Sequence, residues 1–482
     1  MTTSYAPTGR AWVARLAPAL RLTLAHHLRA ALAAFRRADA GIFLVSVVWL
    51  TALEMLTSAR APDGVHFQAW SSEDLQQTLP IAMLRDFPLR SLYYLHIQPP
   101  LLDTVRAVIA QFVHPNPNTS LVIAVDRWLY IVQILLFGFT SMRMYQWARR
   151  LTDRWFALVL WLAWIVHPAA LAYTTLLDST LLSSCFIFLF CYELWRLQQH
   201  DGSILRLAIV GLCVFFTRTA FQWYYVPVTV VALVMSQLTW RRIAVFVMVS
   251  ALGVVPWLAK QKLLFGTLST TTFSGYHQAG IIWYYPTVEE LEAGKRQLDY
   301  RYPAAAKQYE GGKIYNTEIV AVNNLLYAKL SAQQWATQRS RCIDRVWRSM
   351  NQNYQSFWGP SSRYMPNVMV DVLPWRRAYD WLFSGARYRW LLYIGTLAWI
   401  AGWPVKWRGP DRSPKAVLRR LRRELAWLII PSFVFATCML ANRYGWVENN
   451  RLKFFLDPLF FLFVATCSYN VVKAACFRFI RR

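Results

Sequence analysis

Carboxylates are scarce in this sequence, cysteines are scattered, and internal repeats are missing. The 25 Asp and Glu face 52 Lys and Arg, which leaves a formal charge of +27. Such a charge fits a nucleic-acid binder, but that class has no need of many apolar runs long enough to approach the core of a bilayer, so no nucleic-acid partner is expected. Six cysteines (Cys185, Cys191, Cys213, Cys438, Cys467 and Cys476) lie in or beside apolar runs, and only Cys342 falls in a long polar segment. Neither a disulfide framework nor a zinc spacing results. Without a repeat or a low-complexity tract, an alternating-access transporter built from two copies of one unit is disfavoured.

What is present is apolar and aromatic. Hydrophobic residues make up 56% of the chain and aromatic residues 16%, gathered in runs bounded by Arg, Trp and Tyr. That pattern predicts an all-α polytopic membrane protein. The expected spans are residues 41–58, 121–142, 156–173, 176–195, 205–216, 224–238, 243–257, 390–405, 426–441 and 454–471, about ten crossings. Residues 1–40 carry six arginines, with Trp12, Leu16, Leu20, Leu24, Leu28, Leu32 and Phe35 near helical spacing. They read as an uncleaved basic amphipathic helix lying on the cytoplasmic face, the alternative being an unstructured basic tail.

Short loops set the orientation, because Lys and Arg are retained on the cytoplasmic side. The basic loops are 143–154, 239–242, 406–423 and the tail "FRFIRR". All fall on one side if residues 205–238 cross twice, with Arg218 at the outer turn. Both termini are then cytoplasmic. The expected layout is a transmembrane module over 41–258 with a first outer loop at 59–120, a mostly helical extracytoplasmic domain at 259–389, and C-terminal spans over 390–482. An Arg- and Ala-rich composition without a retrieval signal points to a bacterial inner membrane.

The first outer loop holds "WSSEDLQQTLPIAMLRDFPLRSLYYLHIQPPLLD", residues 70–103. Ser71 or Ser72 is placed to cap a helix opening at Glu73 and Asp74, where the macrodipole favours carboxylates. An ionised, positioned carboxylate is what a general base needs to take a proton from a hydroxyl. Surface capping is the plainer reading of the same pair. Pro99 and Pro100 force a bend ahead of a helix over 101–112, so His96 and Gln98 project from a rigid turn. Residues 262–280, rich in Gly, Ser and Thr, read as a mobile lid or a donor-binding loop, or as a plain connecting loop.

These elements resemble the GT-C superfamily of integral membrane glycosyltransferases, which includes protein O-mannosyltransferases and the lipid A aminoarabinose transferase. The resemblance lies in the acidic pair after the first span, in "HIQPP" ahead of the second, in "HPAALAYTTLLDSTLL", where Asp178 opens a span, and in "ENNRLKFFLDPLF" ahead of the last span. The order Glu73 then Asp74 is reversed relative to the usual pair, so either carboxylate can be the base. The resemblance implies a polyprenyl-phosphate-linked sugar as donor, transferred with inversion to a hydroxyl of a lipid, glycan or protein acceptor on the outer face. Asp74 is then the base, assisted by Glu73.

A phosphate leaving group needs cations, and Arg218, Arg451 and Lys453 sit at predicted outer edges. His96, Gln98, Asp178 and Glu448 are candidate substrate contacts. Snorkelling, helix capping and helical ion pairing are their structural readings. Glu54 is left unassigned. No organic cofactor is expected; a divalent metal stays open. The rival classes are a transporter, channel or lipid flippase, disfavoured because nearly all charges sit at span edges, and a scaffold without catalysis.

Overall fold

The computed structural model describes residues 37–60, 71–73, 77–114, 119–199, 201–219, 229–230, 233–234, 238–310, 316–361, 373–406 and 449–480. Among them the chain is helical and contains no strand. The order is α1 (Arg37–Arg60), α2 (Ile81–Asp86), α3 (Pro88–Tyr94), α4 (Leu101–Phe112), α5 (Leu121–Leu151), α6 (Arg154–Ile165), α7 (Pro168–Thr175), α8 (Ser179–Gln198) and α9 (Ile204–Thr217). Then come α10 (Trp240–Phe265), α11 (Ser274–Ile281), α12 (Val288–Arg296), α13 (Glu318–Thr337), α14 (Arg339–Phe357), α15 (Arg376–Phe383), α16 (Gly385–Lys406), α17 (Asn449–Phe454) and α18 (Asp457–Ile480).

Local chemistry sets many of the boundaries. Ser120, Asp153, Asp178 and Ser203 each accept a backbone N–H from the first turn of α5, α6, α8 and α9, as short polar side chains do at helix starts. Gly266 ends α10 at φ +73°, a left-handed turn that glycine takes without strain. The apolar segment expected at 156–173 is broken, with α6 and α7 meeting at a 48° bend. Pro168 lacks an N–H and stops the ladder there. The freed carbonyls find other donors: His167 N donates to Trp164 O at 3.1 Å, and the indoles of Trp49 and Trp375 donate to Ile165 O and Val166 O at 3.1 and 3.0 Å.

Among the described residues four helices are long and apolar enough to cross a membrane, Asp39–Arg60, Leu121–Leu151, Ser179–Gln198 and Trp240–Phe265, or five if the bent α6–α7 pair is one span. Leu44, Val48 and Met55 on α1 and Met248, Leu252 and Val255 on α10 are exposed. A lipid environment accounts for such faces, whereas water would penalise them. The shared core between helices is aromatic, with Trp147, Trp164, Phe137, Phe188 and Phe215 sequestered.

Contacts fix the direction of each helix. α1 and α5 are antiparallel, since Glu54 meets Tyr130, Phe43 and Val47 meet Gly138, and Asp39 meets Gln146. α8 runs parallel to α5, with Gln133 bonded to the Asp178 carbonyl and Trp147 packed on Tyr192. α9 returns against α8, pairing Arg206 with Glu193 and Arg218 with Thr180. α10 is parallel to α9, because Gly253 lies on Leu212 and Trp257 on Phe216. α18 is antiparallel to α6 through Trp164–Phe461 and Phe156–Tyr469, and α16 is parallel to α18 through Tyr388–Phe460 and Gly395–Cys467. One end of the bundle therefore gathers the C-terminal ends of α1, α7, α9 and α10 and the N-terminal ends of α5, α8, α16 and α18. We call it the loop end, since α2–α4 and the insert of α11–α15 join helices there. Two connections, 218–239 and 407–448, start at one end of the bundle and finish at the other.

Candidate functional site

The first connection is organised by buried charge. Arg106 on α4 donates to Asp103 Oδ1 at 2.5 Å, to the Leu79 carbonyl at 2.8 Å and to Ser72 Oγ at 3.1 Å. Gln98 Nε2 donates to the other Asp103 oxygen at 2.7 Å. Asp126 on α5 accepts from Ser71 Oγ at 2.7 Å and from Ser72 Oγ at 2.5 Å. Asp103 and Arg106 are both 0% exposed, and burial raises the Asp103 carboxyl above the ordinary carboxylate range against the opposing pull of Arg106. Arg106 Nη2 is buried without a hydrogen-bond partner among the described residues, and the bonds that are made hold one loop conformation, because each would be costly to break in the interior.

This network changes the expected geometry of the acidic pair. A helix was expected to open at Glu73, but residues 72 and 73 form a turn and α2 begins only at Ile81. The two serine hydroxyls are drawn to Asp126, and Glu73 Oε1 accepts the Ile81 N–H at 2.5 Å, capping α2 from a distance in sequence. Asp74 follows directly and lies outside the described residues. Gln98 is committed to Asp103.

His96 does not project from its turn. It is 0% exposed; its Nδ1 lies 2.9 Å from Thr272 Oγ1, its backbone N–H donates to Asn316 Oδ1 at 3.0 Å, and its carbonyl accepts the Thr272 N–H at 2.7 Å. Thr271 Oγ1 also bonds the Ile97 carbonyl. Residues 269–272 thus clamp the "HIQPP" turn, which favours the connecting-loop reading of 262–280. Lys260 at the end of α10 adds a donor to the Leu95 carbonyl at 2.6 Å and lies 3.5 Å from the Trp257 ring centroid. Burial first, then the charge of Lys260, lower the His96 imidazole from 6.5 to about 3.

Deeper in the loop end, Asp178 caps α8 through Thr180 N at 2.7 Å and binds Thr180 Oγ1 at 2.6 Å. Arg218, the C-cap of α9, reaches both, at 3.3 Å to Thr180 Oγ1 and 3.6 Å to Asp178 Oδ2, and its guanidinium lies 5.8 Å from the Phe455 ring centroid. The residue before Asp178 is Leu177, at φ +53°. A leucine there is strained, and such strain persists only when the surroundings enforce it.

The neighbouring group is a hub at Asp457, the first residue of α18. It accepts from Lys453 Nζ at 3.1 Å, Ser361 Oγ at 2.6 Å and His167 Nε2 at 3.1 Å. His167 Nδ1 is occupied by the Ala169 N–H at 3.1 Å, which leaves the ring proton on Nε2. Lys453 also donates to the Phe383 carbonyl and is 1% exposed, so its ammonium neutralises Asp457 from within the bundle. Only the backbone of Arg451 is described, in α17, and Glu448 lies outside the described residues. Glu54 bonds the Tyr130 hydroxyl.

Phe454 and Phe455 connect the Asp178 group to the hub: Ser184 Oγ donates to the Phe454 carbonyl at 2.8 Å, and Phe455 lies under Arg218. Asp103, Arg106, Asp126, His167, Ser361 and Asp457 were not singled out from sequence. Spacing of i,i+3 for Asp103–Arg106 and i,i+4 for Lys453–Asp457 was the available signal. Among the described residues no group of three His, Cys, Asp or Glu is placed to hold a metal ion.

Fold and site together define a helical protein with membrane-length apolar helices and an extended polar assembly at the loop end. No family model matches the chain, and no curated protein or solved structure matches it.

Proposed function

We propose that this protein is a membrane glycosyltransferase that moves a sugar from a polyprenyl-phosphate-linked donor to an acceptor hydroxyl, with inversion, at the loop end of the bundle. One observation carries the reading. The segments behind the sequence resemblance, "HPAALAYTTLLDSTLL" and "ENNRLKFFLDPLF", lie far apart in the chain yet meet at the loop end through His167–Asp457, His167–Phe454 and Tyr173–Phe454. The connection that carries Glu73, Asp74 and "HIQPP" emerges at the same end.

In this reading the loop end is extracytoplasmic and both termini are cytoplasmic. The parallel pairs α9/α10 and α16/α18 support ten crossings, because each needs a return, and the apolar runs 224–238 and 426–441 lie in the two connections. Asp74 is the base for the acceptor hydroxyl, and Glu73, fixed on Ile81, positions the turn. Arg218 and Arg451 bind the donor phosphate, while Lys453 holds Asp457 in place. A lipid-borne donor explains why such a site belongs to a membrane, and the acceptor enters from the aqueous face.

Mass spectrometry of glycans and glycolipids tests the reading, on cells that lack the chain, carry it intact, or carry Asp74→Asn. The intact chain alone should yield a product one sugar heavier, and identical profiles in all three would refute the enzyme. Orientation is tested with cysteines at exposed Ser340 and at Lys415. An impermeant maleimide should label the first from the outer face and the second only after lysis. Native Cys342 is unsuited because it is buried.

A further inference from the structure

The buried ion pairs at the loop end differ in tightness. Arg106–Asp103 closes to 2.5 Å, and Lys453–Asp457 and Arg376–Asp380 to 3.1 Å. Arg218–Asp178 stays at 3.6 Å, with Thr180 Oγ1 closer to the guanidinium than the carboxylate is. The two partners are also unequal. Asp178 is held by Thr180 N and Oγ1 at 2.7 and 2.6 Å, and by the left-handed turn at Leu177. The Leu177 side chain packs with Leu102 of α4, Leu129 of α5 and Leu182 of α8, so three helices oppose any movement of the turn. Arg218 keeps 23% of its side chain exposed and ends its helix.

We propose that Asp178 is an internal counter-ion that holds Arg218 when the site is empty and gives it up to the phosphate of a polyprenyl phosphate. This rests on the donor-phosphate role proposed above for Arg218. The fixed carboxylate keeps its cap bonds throughout, and the guanidinium turns. A phosphodiester donor carries the same single charge as a carboxylate but offers a bidentate edge, which a guanidinium prefers to a one-point contact. After transfer the released polyprenyl phosphate competes with Asp178 for the same cation, and the carboxylate favours product departure. Asp178 is a positioning residue here: it touches Arg218, not the sugar.

The probe is farnesyl monophosphate, titrated by calorimetry into purified protein in detergent at constant ionic strength. Asp178→Asn keeps the helix cap and removes the charge, so it should bind the probe about fivefold more tightly, the scale of a partly screened ion pair. Asp178→Ser, also a capping residue, serves the same purpose should the asparagine variant fail to fold. Arg218→Ala should bind at least about tenfold more weakly. If neutralising Asp178 leaves binding unchanged or weaker while Arg218→Ala loses it, the counter-ion is overturned and the phosphate site stands. If Arg218→Ala binds as the unaltered chain does, both fall.

Discussion

The Asp457 hub makes a quantitative demand on stability. Lys453 and Asp457 are each 1% exposed, and the carboxylate also accepts from Ser361 and His167. Removing one member of a buried pair strands the other charge, which costs about 3–5 kcal/mol, whereas replacing both removes that penalty. Asp457→Asn keeps an acceptor for Ser361 and His167 but leaves the ammonium with the Phe383 carbonyl, so a loss of about 3 kcal/mol is expected. Lys453→Met leaves an uncompensated carboxylate and should cost about the same. The double variant should lie within about 1 kcal/mol of the unaltered chain, giving a coupling of about 5 kcal/mol in a double-mutant cycle. Unfolding by SDS titration in bicelles supplies the four free energies. Single losses that add in the double variant to within about 0.5 kcal/mol would refute the pairing, and would return Lys453 to the pool of cations able to meet a donor phosphate.

Three further outcomes follow from the same geometry. His96 is lowered from 6.5 to about 3, so below 6.5 the unfolded chain binds the extra proton; stability is full above that value and falls as pH drops, by about 2 kcal/mol at pH 5. His96→Gln should remove that part of the slope between pH 7.5 and 5 in the same titration, and an unchanged slope would place the acid sensitivity elsewhere. At Leu177 the side chain is buried but the backbone is left-handed, so Leu177→Gly should be less destabilising than Leu177→Ala by about 1 kcal/mol, the reverse of the order that side-chain size alone gives. Glu73→Ala uncaps α2 and should cost about 1 kcal/mol, whereas Glu73→Gln keeps the acceptor; on the proposed mechanism Glu73→Gln retains far more transfer than Asp74→Asn, and a greater loss from Glu73→Gln would make Glu73 the base.

Helix positions were legible because their signals are local. The expected helix over 101–112 coincides with α4, and apolar runs mark α1, α5, α8 and α10. The break at Pro168 inside an apolar run was legible in principle, since a proline there removes a ladder bond whatever surrounds it. Side-chain roles were not, because they depend on partners remote in sequence. Ser71 and Ser72 are good caps for a helix at Glu73, yet Asp126 outcompetes that role, and its arrival depends on α5 packing against the loop. Lys453 has the pattern of an interfacial cation, but Asp457 lies one turn on at the start of α18, and the end of α15 brings the Phe383 carbonyl to the same ammonium. Arg218 differs from both because its pair is loose and its side chain keeps a path to solvent. A ligand-binding cation has to be reachable, and at this end of the bundle exposure separates Arg218, at 23%, from Arg106 and Lys453, at 0% and 1%.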